Sequence, residues 1–453
     1  MIRKTLIAAI LAVMSAGAVA AVSPEEATQL GKTLTPVGAE KSGNKEGTIP
    51  AWNGGLTTPP AGFTPGDSKL PDPFASDKPR LVITGQNADQ YQGQLTAITY
   101  ALLKRYPTMR VDVYPTHRPV FYPKMIQENT AKNAVQAQSV EGGLGFDNAL
   151  PGFPFPIPKS GNEAMWNHNM RYQGVALWLK FDSYNIDAAG TATLATTGTN
   201  YQEWPLVAPG NHDKVVKAND AFWRIRQDYN GPARRAGEAL LLIDHVNPLA
   251  QPRKAWQYLP GQRRVKLAPD IAYDTPNPGV AGALTYDDAF VFNGALDRFD
   301  FKLVGKREMF VPYNTYKAVY FPGSKQNLTK PSHFNPDLLR WELHRVWVVE
   351  ATLKPGKRHI YHKRTFYLDE DSWVALASDS YDARGQLYRG VFNLVAFAYD
   401  QQAMPTALQV GYDLVGGLYT TQGAVGLHQG IKFREPFPAR EWTPDALAGA
   451  GIR

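Results

Sequence analysis

The region from His344 to Tyr399 constrains the fold more than any other. "HRVWVVEATL" runs into the turn Lys354-Pro355-Gly356-Lys357 and "RHIYHKRTFYLD" follows; Glu370-Asp371 then leads to "SWVALASDSYD", and Arg384-Gly385 to "LYRGVFNLVAFAYD". Four consecutive segments rich in β-branched and aromatic residues, joined by tight turns, make an antiparallel meander. Strands this long in a sheet that must twist predict strong curvature.

The same texture begins just past residue 170, with "GVALWLKF", "TATLATT", "FWRIRQDY" and "GEALLLIDHV". In "KAWQYLPGQRRVKLAPD", Ala255 to Leu259 and Arg263 to Leu267 flank a Pro260-Gly261 turn, a hairpin with Trp256 and Tyr258 on one face. Residues 161–453 therefore read as a curved antiparallel β domain. Residues 21–160 differ: "TTPPAGFTPG", "LPDPFASDKP" and "LPGFPFPIP" interrupt any periodicity. Proline donates nothing to a ladder and biases its predecessor toward extended backbone, so this part reads as a covering wrap on the sheet. Two helical passages break it: "SPEEATQLGK", capped by Ser23 with Pro24 first, and Asn87 to Leu103. The fold class is α+β, one structural unit.

Residues 1–20 read as a secretory signal peptide. Arg3 and Lys4 precede an apolar run from Leu6 to Val13, and Ala18-Val19-Ala20 fits a cleavage site after Ala20, with Ala16-Gly17-Ala18 as the weaker alternative. No other segment approaches the roughly 18 apolar residues of a spanning helix. The chain has no cysteine, which excludes disulfides, thiolate metal sites, a catalytic thiol and an acylated cysteine. Export without disulfides points to a Gram-negative periplasm. Losing Arg3 and Lys4 lowers the formal charge from +7 to +5, an excess compatible with an anionic membrane surface but without the dense basic stripe that nucleic acid needs.

Signatures of enzymes are sparse: there is no nucleophile elbow, P-loop, HExxH or kinase set. His359 and His362, three apart on an expected strand, diverge and cannot chelate. Asp369, Glu370 and Asp371 fall at an expected turn, where acids are normally solvated or capping. Asp287 and Asp288, with nearby histidines, carry the enzymatic alternative, a hydrolase or lyase of lipid or glycan. No cofactor and no metal are expected. Arg263 and Arg264 mark either a solvated hairpin rim or a contact with lipid head groups.

Aromatic residues make up 11% of the chain. A curved sheet has a concave face that must be covered or filled, and aromatics with a few polar groups describe a pocket for an apolar ligand. The candidates are Trp178, Trp223, Trp256, Tyr258, Trp347, Phe366, Trp373 and Phe392. Periodicity alone leaves open which of them face inward, and whether they form a pocket or ordinary core.

"LTPVGAEKSGNKEGTIPAWNGGL", "RKAWQYLPGQRRVKLAPDIAYDTP", "DRFDFKLVGKREMFVPYN" and the run from His333 to Gly390 resemble a family of exported Gram-negative proteins, domain of unknown function 1329. Its hairpin and meander are similar to the LolA/LolB-like outer-membrane lipoprotein-sorting proteins. The resemblance implies an unclosed β-barrel with helices plugging a hydrophobic cavity, and no enzymatic activity. It further implies a periplasmic carrier or chaperone for a lipid-like molecule, at times peripheral on the outer membrane. The implied partners are an inner-membrane transporter of the resistance-nodulation-division type and an outer-membrane protein. The chain departs from the sorters in size and in its Pro/Gly-rich N-terminal region. On this frame "GTIPAWNGGLTTPPAG", Gly47 to Gly62, is expected to be an ordered strap anchored by Trp52.

Overall fold

The computed structural model describes residues 22–450; the expected signal peptide lies outside them. In chain order the strands are β1 (Leu81–Thr84), β2 (Arg110–Val113), β3 (Gln138–Val140), β4 (Gly145–Asp147), β5 (Ala176–Ile186), β6 (Ala192–Glu203), β7 (Ala221–Gly231), β8 (Ala239–His245) and β9 (Lys254–Leu259). They continue as β10 (Arg264–Leu267), β11 (Phe299–Pro312), β12 (Trp341–Leu353), β13 (Lys363–Asp369), β14 (Ala375–Tyr381), β15 (Leu387–Leu394), β16 (Leu408–Asp413), β17 (Leu418–Gln422) and β18 (Ile431–Arg434).

Strands β3 and β4 pair with each other, and the other sixteen form one sheet. It is built from two antiparallel runs, β5 to β10 and β11 to β17, joined where Tyr419 of β17 pairs with Ile186 of β5. Strand β18 lies beside the other end of β5, and β1 and β2 continue from β12 through one parallel bridge, Trp341 to Val113. Strands β10 and β11 each have a single neighbour and do not pair with each other, so the sheet is not closed.

Its curvature follows from what one short segment touches. Phe290 packs against Trp223 of β7, with ring centroids 5.6 Å apart, and Phe292 packs against Phe366 of β13 at 5.4 Å. Seven strand spacings separate β7 from β13 along the sheet, about 34 Å if it were flat. Two residues that are neighbours but one reach both only because the sheet curls around them.

Register assigns the faces. Val349 pairs with Phe366, Phe366 with Ser378 and Ser378 with Val391, so these share the concave face, while Val348, Tyr367 and Ala377 point the other way. The concave face receives helix Gly161–Met170 and the segment 271–296, called the roof below. His168 of that helix ties all three layers together: Nδ1 accepts from the Ala375 amide at 3.0 Å, so Nε2 carries the proton and donates to the Phe292 carbonyl at 3.0 Å. On the convex side, Asp379 accepts from the first amides of helix Ala97–Arg105, Ala97 and Ile98, at 2.9 and 2.8 Å. Gly390 lets that helix approach, since a Cβ there would lie 2.3 Å from Ile98 Cγ1.

The strap is ordered without being regular. The Trp52 indole donates to the Val120 carbonyl at 2.9 Å and the Leu56 amide to the Pro119 carbonyl at 2.8 Å. Guanidinium groups hold its start and the segment just before it: Arg118 reaches the carbonyls of Glu40 and Pro50, and Arg345 that of Ser42. One apolar cluster runs through Val37 and Ile49 of the wrap and Val349 and Phe366 of the sheet.

Two local expectations change. The strand beginning at Arg358 starts instead at Lys363, because His359 and Tyr361 leave the ladder to bond Asp287 and Asp288 at 2.9 and 2.8 Å. The turn acids Asp369, Glu370 and Asp371 are buried rather than solvated, because the wrap covers them and supplies Arg118.

Candidate ligand site on the concave face

Between the β5 to β8 part of the sheet and the roof lies a space of about 70 Å³. Register builds its floor: Leu179 pairs with Asn200, Gln202 with Ile225, and Ile225 with Leu242, so aliphatic and amide side chains interleave on one face. Trp223 closes one side, its indole donating to Gln202 Oε1 at 3.1 Å. Asn200 and Gln422 also border this space, and the amide oxygen of each is buried without a hydrogen-bond partner.

Arg253 forms the wall to a second space of about 160 Å³, bordered by Trp166, Phe222, His245 and Tyr273. It grips Asp244 with both ends of its fork, Nε and Nη2 at 2.6 Å each, and Nη2 also donates to Asn293 Oδ1 of the roof at 2.6 Å. His245 Nδ1, bordering this second space, is again buried and unpartnered; burial, only partly opposed by Asp244, lowers the His245 pKa and favours its neutral ring.

Pockets that enclose drug-sized ligands run to roughly 300–1,000 Å³. Neither space reaches that size. The roof is bonded near its middle and at its far end. Near its middle Asp287 and Asp288 meet Arg364 at 3.1 and 2.8 Å, with every partner buried. Burial raises the Asp287 pKa, but Arg364 and the bond from His359 outweigh it and hold the carboxyl well below the usual range. At its far end the Phe290 amide donates to Gln409 Oε1 at 2.9 Å, and Arg253 clasps Asn293. Neither aspartate borders either space, so the pair raised as acid and base acts as the roof's anchor.

Among the eight aromatic candidates, Trp223 lines the first space. Phe366 lies on the concave face beneath Phe292 and Phe301. Trp347 and Trp373 stack at 6.1 Å under the wrap, where the Trp373 indole donates to the Val37 carbonyl. The others are on the convex face: Trp178 beneath Lys432, Trp256 and Tyr258 in the cluster around Trp442, and Phe392 between Trp341 and Tyr412. Arg263 and Arg264 are exposed at the hairpin tip, Arg263 in the left-handed region at φ 48°. Choosing by size ignored strand parity. Of the residues missed, Asn200 and Gln202 carry a readable signal, amides at alternate positions of one strand, whereas Gln422 ends β17 and Arg253 precedes β9.

The described residues contain no helix long and apolar enough to cross a membrane. A family model described as a protein of unknown function (DUF1329) matches residues 82–448. The uncharacterized protein PA3922 of Pseudomonas aeruginosa is 41% identical over 451 residues, covering 98% of this chain and 97% of its own. Among solved structures, a putative outer membrane lipoprotein-sorting protein domain from Vibrio parahaemolyticus is similar at TM-score 0.44 and 15% identity, over 64% of this chain and 98% of that one. A DUF1329 family protein from Desulfovibrio piger gives 0.40 and 13%, over 60% and 92%. A LolA superfamily protein from Nitrosomonas europaea gives 0.37 and 12%, over 63% and 99%.

Proposed function

The chain belongs to the DUF1329 family, and we propose that it serves as a periplasmic binding and transfer protein for an amphipathic, lipid-like ligand. The observation that carries this reading is the pair Asn200 and Gln422, which border one space together with Gln202 and Trp223 and each carry an amide oxygen buried without a hydrogen-bond partner. A buried acceptor without a donor costs about 1–3 kcal/mol. Two such acceptors on one space describe a seat for a ligand that brings a hydroxyl, amide or ammonium group on an apolar body. Transfer works by burial: each methylene kept from water is worth about 0.8 kcal/mol, and the roof supplies the closing surface.

In this reading the polar end sits at Asn200, Gln202 and Gln422, the apolar body displaces the roof, and the exposed Arg263 and Arg264 meet head groups of the donor or acceptor membrane. An envelope transporter that hands over or receives the ligand completes the proposal. The test is native mass spectrometry of the protein purified from periplasm without detergent, followed by organic extraction. A stoichiometric lipid-like molecule is the expected result. An apo mass that persists after incubation with outer-membrane lipids refutes the carrier role and favours a partner of the transporter with no ligand of its own.

A further inference from the structure

The turn between β13 and β14 carries a group of side chains that the ligand site does not use. His344, Asp369 and Asp371 are 2%, 0% and 3% exposed, and each offers a donor atom within 4.8 Å of the other two. Around a tetrahedral zinc ion the donors sit about 2.1 Å from the metal, hence about 3.4 Å apart. Drawing these three together takes shifts of less than about 1 Å.

The state of each donor fits. Asp369 Oδ2 accepts from the Tyr313 hydroxyl and the Ser372 amide, both at 2.9 Å, and from Ser372 Oγ at 2.6 Å. Its other oxygen, Oδ1, is buried with no partner and lies 3.9 Å from His344 Nδ1. The remaining ring nitrogen, His344 Nε2, is 3.0 Å from Glu342 Oε2. A carboxylate behind the histidine is how metal-binding imidazoles are oriented, because it fixes the proton on one nitrogen and leaves the other as a free lone pair. Tyr313 stacks on the ring at 3.8 Å and holds its plane. Asp371 is gripped by Arg118 at 2.8 and 2.7 Å, which leaves half of its lone-pair directions open.

The charges point the same way. Around this turn Asp371 has Arg118, Glu370 has Arg345 and Lys306, and Glu342 has Arg340. Among the described residues Asp369 has no lysine or arginine partner. Buried and without a cation, this carboxylate is short of one positive charge.

We propose that His344, Asp369 and Asp371 bind a divalent first-row transition cation of the zinc class, which locks the β13–β14 turn to β12. One imidazole with two carboxylates suits such an ion, whereas calcium takes six to eight oxygens. The lock would also hold the wrap, since Trp373 of this turn, at φ 60°, donates from its indole to the Val37 carbonyl. The site lies apart from the concave cavity, and its test is independent of the carrier reading.

Because the donors are buried, loading belongs to folding. The mature chain is unfolded in guanidinium with a chelator, refolded with or without zinc, dialysed against chelator and assayed for metal. The expected result is one zinc per chain, a higher unfolding temperature than for protein refolded without zinc, and at least a tenfold loss of bound zinc in Asp369→Asn. Should that variant not refold, the zinc-edge X-ray absorption spectrum of the wild type decides: one imidazole and otherwise oxygen donors support the site. Less than a tenth of an equivalent in the wild type overturns it. So does a spectrum with two or more imidazoles, or full retention by Asp369→Asn.

Discussion

Asn293→Ala tests whether the roof is a gate. Asn293 Oδ1 receives the 2.6 Å bond from Arg253, and Arg253 keeps its two bonds to Asp244 when the amide is gone, so the floor is left standing. A bond to a charged group is worth about 1.5–3 kcal/mol net. The closed form loses that amount, while a lifted roof, already hydrated there, loses nothing. At 1.4 kcal/mol per factor of ten, the open population rises about 10- to 150-fold, and apparent affinity for a ligand that binds the open form rises equally as long as that form is the minor one. Titration with a fluorescent acyl probe measures the affinity, and urea unfolding run in parallel measures the global cost. Probe affinity within twofold of wild type, together with a stability loss of the predicted size, would refute the gate, because the clasp would then be holding the fold and not the opening.

The roof's anchor gives a stability prediction: Arg364→Met strands two buried carboxylates and should cost about 3–5 kcal/mol in urea unfolding. In the wild type the lowered Asp287 pKa adds stability above the unfolded carboxyl range, about pH 4, that fades as pH falls through and below it; Arg364→Met should lose this acid dependence. His168 acts with the opposite group chemistry. Burial, reinforced by Arg171, holds its folded pKa well below the unfolded value near 6.5, so the unfolded chain takes up the proton first and stability should fall as pH drops below about 6.5. His168→Gln, which does not titrate, should flatten that slope in a pH series of unfolding curves. Deleting Gly47 to Gly62 removes the Trp52 and Leu56 bonds to Val120 and Pro119 and should lower the thermal midpoint; an unchanged midpoint and ligand content would sink the strap.

How much of this is legible in the chain depends on the range of the force involved. The meander is readable because Pro355-Gly356, Glu370-Asp371 and Arg384-Gly385 punctuate strand-length runs rich in β-branched and aromatic residues, a signal that is local in the chain. The start of β13 is not, because Asp287 and Asp288, more than seventy residues away, draw His359 and Tyr361 out of line. Asp369 to Asp371 look like solvated turn acids until Arg118 arrives from about 250 residues earlier. The aromatic candidates failed to converge on one surface for a simpler reason. Side-chain size predicts burial on either face, whereas only register separates Trp223 from Trp256.

The two covers of the sheet are secured differently, and this decides which of them can move. Lifting the wrap would break the bonds of its Arg118 to Asp371 and of Arg345 to the Ser42 carbonyl and uncover Asp371 and Glu370, a cost of several kcal/mol for each buried pair disrupted. The roof is fixed by buried ion pairs at Asp287 and Asp288, and beyond them by single hydrogen bonds at Phe290, Val291, Phe292 and Asn293. Between anchor and clasp, Phe290 and Val291 both sit in the left-handed region, at φ 57° and 70°. That conformation costs bulky and β-branched residues about 1–3 kcal/mol each. The strain is carried by the closed form and is free to relax when the clasp lets go, so it offsets much of the cost of breaking it. The roof, strained at Phe290 and Val291 and clasped at Asn293, is therefore the cover that the proposed transfer requires to open beside Asn200 and Gln422.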